Sequence, residues 1–281
     1  MKKLTANLLI ASTILGSIAA PTVKAEEGEV QPSATEVETK ANVKFEANDE
    51  GETKPVDPVE PGNPTDPTDP ENPGGQGGGD KGALRIDWAP HFNFGENKIE
   101  GGKEFVIPAT HYKNKEGNPI HYFVQVSDLR GLDDANWQLN VTASPLARTE
   151  SAETKEDDQK NQLLGSYITF TPGNVLNDGV TSEDGVKFKV ENDGKGQFAL
   201  DNNIKTLIDA KNDQNPQGTW SFAMESSSQP REDEDRTQDV TLTIPASQVK
   251  KIRQATYQAT LKWELSSTVK SDTKGLLPVA K

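Results

Sequence analysis

Thr256-Tyr-Gln-Ala-Thr-Leu-Lys-Trp-Glu-Leu-Ser266 alternates without a break. Tyr257, Ala259, Leu261, Trp263 and Leu265 fall on one side, and Gln258, Thr260, Lys262, Glu264 and Ser266 on the other. A period of two over this length, carried by aromatic and branched side chains, predicts a half-buried β-strand. Asn136-Trp-Gln-Leu-Asn-Val-Thr142 repeats the pattern, with Trp137, Leu139 and Val141 on a shared face. Each strand therefore sets a tryptophan and a leucine two residues apart, pointing the same way.

The rest of the C-terminal two-thirds follows the same grammar. Candidate strands are Leu84–Trp88, His121–Leu129, Asn136–Ala143, Ser166–Thr171, Val186–Val190, Thr219–Glu225, Asp239–Ile244 and Thr256–Ser266, each bounded by Gly, Pro, Asn or Asp. Many short strands separated by turn residues predict an all-β fold, a β-sandwich or barrel-like single domain over residues 83–281. One or two short helices are expected. Asp201 to Lys211 carries Ile204, Leu207 and Ile208 at helical spacing, and Pro245 to Ile252 has room for a turn or two. Arg148 to Asn161 reads as a long, charged, mobile loop.

Three segments precede the domain. Lys2 and Lys3, the apolar run Leu8 to Ala20 and the small-residue exit Val23-Lys-Ala25 predict a secretory signal peptide over residues 1–25. Residues 26–54 are acidic, and Asn42-Val-Lys-Phe-Glu46 reads either as one short strand or as part of a disordered tail. Residues 55–82 place proline at about every third position and end in Gly74-Gly-Gln-Gly-Gly-Gly. That composition favours a disordered, extended spacer, whose proline part at ~3.1 Å per residue spans roughly 60 Å.

Charge and composition narrow the partners. The chain has 30 Lys and Arg against 44 Asp and Glu, a net charge of −14, so nucleic acid and anionic lipid are repelled. It has no cysteine, so an exported fold here must be stable on its core alone. No catalytic set can be named. His91, His111 and His121 fit no nucleophile–base signature and no zinc spacing, no Gly-x-Ser-x-Gly turn is present, and nothing calls for a cofactor. The oxygen-rich loops Asn177-Asp-Gly179, Glu183-Asp-Gly185, Asn192-Asp-Gly194 and Arg231-Glu-Asp-Glu-Asp235 do not follow the calcium-loop order of ligands. Asn/Asp-Gly is also what a tight turn requires. Asn140-Val-Thr142 matches a glycosylation acceptor but lies within a proposed strand.

Two readings of the tryptophans stand. As core residues each would bury ~150–250 Å², about 4–6 kcal/mol before entropy is counted. As a surface, Trp137, Leu139, Trp263 and Leu265, supported by Trp88 and Tyr257, would offer aromatic faces to a sugar ring or another apolar group.

The order of these motifs resembles the WxL domain of Gram-positive surface proteins. Gly82-Ala-Leu-Arg-Ile-Asp-Trp-Ala-Pro-His-Phe-Asn-Phe-Gly-Glu-Asn-Lys-Ile99 is similar to its opening strand and Phe-x-Phe-Gly segment. Val126-Ser-Asp-Leu-Arg-Gly131 followed by Trp137-Gln-Leu139 resembles the first Trp-x-Leu motif with its preceding Asp-x-Arg-Gly, and Trp263-Glu-Leu265 the second. Trp88 stands where the family commonly has a polar or small residue. The resemblance implies a non-enzymatic cell-wall protein held noncovalently on peptidoglycan. It also implies partners of three kinds: a membrane-anchored surface protein that interacts with WxL domains, other WxL proteins, or host matrix proteins. Gly275-Leu-Leu-Pro-Val-Ala-Lys281 carries no Leu-Pro-x-Thr-Gly sorting signal, which fits the expectation of noncovalent retention.

Overall fold

From Trp137 to Ala143 every second residue is buried, so the alternation read from the sequence becomes a two-faced strand. The computed structural model of the chain describes residues 40–50, 54–58, 67–68, 81–114, 116–149, 160–178, 180–181, 185–226 and 235–267. The expected signal peptide, most of the acidic segment and of the spacer, and residues 150–159 of the charged loop lie outside them. The chain divides into two compact units, Met1–Lys44 and Phe45–Lys281. Residues 40–46 are exposed and without regular secondary structure, so of the two readings of Asn42–Glu46 the short strand is not formed.

The second unit is built from antiparallel sheets. One runs β12 (Val180–Thr181), β11 (Val175–Asn177), β15 (Gly218–Ala223), β6 (Phe123–Asp128) and β2 (Leu84–Trp88). A second runs β13 (Gly196–Ala199), β10 (Tyr167–Phe170), β16 (Arg236–Ile244) and β3 (Phe105–Thr110). A third sets β7 (Trp137–Ala143) between β14 (Ile204–Ala210) and β18 (Leu261–Ser266). Two small ones join β17 (Tyr257–Gln258), β8 (Leu146–Arg148) and β9 (Gln162–Leu163), and β1 (Pro67–Thr68), β4 (Tyr112–Asn114) and β5 (Pro119–Ile120). A single turn of helix, α1 (Ala246–Val249), follows β16.

The three larger sheets meet in one aromatic core. Trp137 of β7 packs edge-on against Phe222 of β15 at 6.3 Å, and Trp220 stacks on the same ring. Phe188 touches Phe222 on one side and Phe170 of β10 on the other, at 5.5 and 4.8 Å. Such edge and offset contacts favour one arrangement of rings over a loose apolar interior. Opposite Phe170 stands Gly196, where a Cβ would lie 2.1 Å from the ring, so this ladder position needs a glycine.

Two expectations are corrected. Asp201 to Lys211 is not helical but contains β14, whose register slips between Thr206 and Ile208. The bulge turns both Leu207 and Ile208 inward, and their adjacency imitates a helical spacing. Val186 to Val190 makes only a single bridge, Phe188 to Ile208. The helix expected after Pro245 is present, and Asp178, Asp193 and Gly194 have the positive φ of tight turns.

Part of the proline-rich stretch is attached rather than extended into space. Pro67–Thr68 pair with Lys113 and Asn114 of β4, and Pro58 and Asp57 are buried against the domain.

Candidate functional site

Neighbouring strands bring the two Trp-x-Leu motifs together. Leu265 of β18 lies directly opposite Leu139 of β7, Trp263 opposite Val141 and Leu261 opposite Ala143. In an antiparallel pair, opposed residues share a face, so both motifs point to the same side of the sheet. The tryptophans are not partners: they flank the leucine pair at opposite ends.

Their surroundings differ. Trp137 is 1% exposed and Leu139 is fully buried, on the central strand. The Trp137 indole Nε1 donates to the Pro216 carbonyl at 3.1 Å, and Trp220 Nε1 donates to the same oxygen at 3.1 Å. Trp263 and Leu265 belong to the outermost strand of the sheet, where they are half-buried and packed against the core from its rim. Trp88 is buried, edge-on to Tyr112 at 5.9 Å and beside Phe123 at 6.1 Å. Tyr257 is half-buried, and its hydroxyl accepts the Arg253 backbone N–H at 2.9 Å.

The Asp-x-Arg-Gly segment holds the two motifs in place. Arg130 grips Asp128 with two parallel bonds, Nε to Oδ1 at 2.8 Å and Nη2 to Oδ2 at 2.7 Å. It also donates to the Asn136 carbonyl at the entry to β7 and to Ser267 Oγ at the exit from β18. A planar guanidinium with five donors can serve all these acceptors at once. Gly131, at φ 64°, turns the chain just after it. The Phe-x-Phe-Gly segment is fixed in a related way. Phe92 stacks on Tyr122 at 5.4 Å, while Arg236 donates to the carbonyls of Phe94 and Glu96 and to that of Pro108. Neither Arg236 nor Trp220 stands out in the sequence, because their partners lie far away along the chain.

The outer face of this sheet is polar. Gln138 Nε2 donates to Asp209 at 2.9 Å, Thr206 to Asn140 at 2.7 Å and Lys262 to Glu264 at 2.7 Å. The Gln138 amide, ahead of Lys189 and Lys211, holds the Asp209 carboxyl below its usual range. Asn140 is thus a ladder residue engaged by Thr206.

His121 is buried and faces the Asp57 carboxylate at 3.3 Å; His91 and His111 are half-buried. Among the described residues no group of three or more His, Asp or Glu is placed to hold a metal ion. Glu225 is buried beside His121, its Oε1 accepting the Tyr122 N–H at 2.8 Å. Burial pushes its carboxyl up, against the pull of that N–H and of His121. A raised acid binds its proton in the folded state where the unfolded chain has lost it. Stability therefore declines as pH rises from the unfolded value, about 4.3, through the folded one. Glu225→Gln keeps the acceptor and removes the charge, so its urea midpoint should fall less over that interval than that of the wild type.

A family model described as "WxL domain surface cell wall-binding" matches residues 32–268. No curated protein and no solved structure matches the chain.

Proposed function

The chain belongs to the WxL family of surface cell wall-binding domains, and from that premise we propose that it is held noncovalently on peptidoglycan through the outward flank of β18. It is a cell-wall and cell-surface protein, of a family defined by binding and not by catalysis. The observation that carries the finer reading is the unequal burial of the two motifs. Trp137 and Leu139 are spent on the core, whereas Trp263 and Leu265 stand half-exposed on an outermost strand. An indole with one accessible side can stack on the apolar face of a sugar ring. Lys262 and Glu264, on the other face of the same strand, can hydrogen-bond to hydroxyl and amide groups that reach round its edge. Trp88 and Tyr257 contribute to this reading only as part of the core and its rim.

Trp263→Ala should lower co-sedimentation with protein-free, teichoic-acid-free sacculi by about tenfold while costing only about 1–2 kcal/mol of stability. Circular dichroism of the same sample confirms that the fold is retained. Undiminished sedimentation would move the contact away from β18. One further observation supports a second reading: among the described residues β18 is outermost in its sheet, and an outermost strand can pair with a strand from another protein. If the wild type does not pellet with sacculi but does retain another exported surface protein, that reading replaces the first.

A further inference from the structure

The five-stranded sheet has an apolar face and a polar one. Trp220 and Phe222 of β15, with Val124 and Val126 of β6, point into the core. Gln125 and Ser127 of β6 and Ser221 of β15 point the other way and are nonetheless buried. Across this face runs Lys54-Pro-Val-Asp-Pro58, and the contacts read its backbone in order. Gln125 Nε2 donates to the Lys54 carbonyl at 3.2 Å, and Gln125 Oε1 accepts the Val56 N–H at 2.9 Å. One side-chain amide thus does for the segment what a neighbouring strand would do. Between the two contacts lies Pro55, which has no N–H to satisfy. Ser221 Oγ donates to the Val56 carbonyl at 2.9 Å. The Asp57 carboxylate lies 3.3 Å from His121 Nδ1 and 3.5 Å from the His121 backbone N, and Pro58 is buried beyond it.

Everything this groove reads recurs further along the same stretch. Pro55-Val-Asp-Pro58 is followed by Pro58-Val-Glu-Pro61, Pro64-Thr-Asp-Pro67 and Pro67-Thr-Asp-Pro70. Each copy keeps the two prolines, a β-branched residue suited to extended backbone, and an acid in third place. One groove per chain is therefore matched, in the sequence, by four such segments.

We propose that His121, Gln125 and Ser221 form a binding groove for proline-x-acid-proline peptides, filled in cis by the first repeat and able to take a repeat from a second copy of this chain. The later repeats then act as docking ligands that link neighbouring copies, those containing Pro67–Thr68 once their pairing with β4 is released. This does not depend on what β18 binds.

The test uses the full chain and a fluorescein-labelled peptide spanning residues 52–60. Val56→Pro with Asp57→Ala removes the N–H and the carboxylate of the cis segment, which otherwise competes at high effective concentration. Fluorescence anisotropy should show the peptide binding this variant about tenfold more tightly than the wild type. An unlabelled peptide of residues 63–70 should displace it, and Gln125→Ala in the same background should abolish binding with the circular dichroism spectrum unchanged. A folded variant that binds the peptide no better than a scrambled sequence overturns the proposal. So does loss of the fold on changing residues 56 and 57, since the segment would then be a fixed part of the core and not an exchangeable ligand.

Discussion

Trp137→Ala is expected to destabilise the domain by about 3–5 kcal/mol, the range for removing a large aromatic side chain from a packed interior. The indole is 1% exposed, edge-on to Phe222 and hydrogen-bonded to Pro216, so the substitution opens a cavity where three sheets meet. A loss of that size is a large part of the ~5–15 kcal/mol that separates folded from unfolded domains. The urea midpoint, followed by circular dichroism, measures it. Trp137→Phe should cost far less. Most of the packing is retained, and the Pro216 carbonyl left by the indole still accepts from Trp220. The contrast with Trp263→Ala gives the comparison its force: one motif should fail in stability and the other in binding. If Trp137→Ala unfolds at the wild-type midpoint, Trp137 does not hold the core together.

The strands were legible because alternation is local. β2 falls at Leu84–Trp88 as read, and β7, β10, β15 and β16 lie within a few residues of their expected bounds. What alternation cannot say is whether a strand ends up at the centre or the rim of its sheet. Trp137 and Trp263 sit in near-identical patterns, and only the order β14-β7-β18 makes one a core residue and the other a half-exposed one. β3 escaped for another reason. Pro108 interrupts its pattern, and proline is tolerated there because β3 is outermost in its sheet. β14 was hidden by its bulge. The polar groove was invisible because Asp57, His121, Gln125 and Ser221 are brought together over long sequence separations, and the proline-rich stretch reads by composition alone as a spacer. The Asp128–Arg130 pair lies only two residues apart in sequence, yet its use as a staple depends on Asn136 and Ser267.

The polar face of the five-stranded sheet also carries the second large effect. Arg85 and Asp87 form an ion pair at 2.9 Å with both side chains almost wholly buried. Arg85 also donates to the Gly82 carbonyl, and Asp87 accepts from Ser127 Oγ at 2.6 Å and Gln125 Nε2 at 3.3 Å. Even so, burial outweighs these bonds and the cation, and the Asp87 carboxyl is pushed up from its usual value. Arg85→Met should therefore cost about 3–5 kcal/mol near neutral pH, because the carboxylate stays buried without its guanidinium. The sign of the pH dependence follows. A raised acid holds its proton in the folded state after the unfolded chain has released it, so stability drops with rising pH, and more steeply once Arg85 is gone. The deficit of Arg85→Met should accordingly be smaller at about pH 4.5 than at about pH 7. Asp87→Asn in the same chain keeps an acceptor for Ser127 and Gln125 while removing the charge, and should recover most of the loss at neutral pH. Urea unfolding of the single and double variants at both pH values separates the causes. A deficit that ignores both pH and the Asn substitution would place the effect in the packing of the Arg85 side chain and not in its charge.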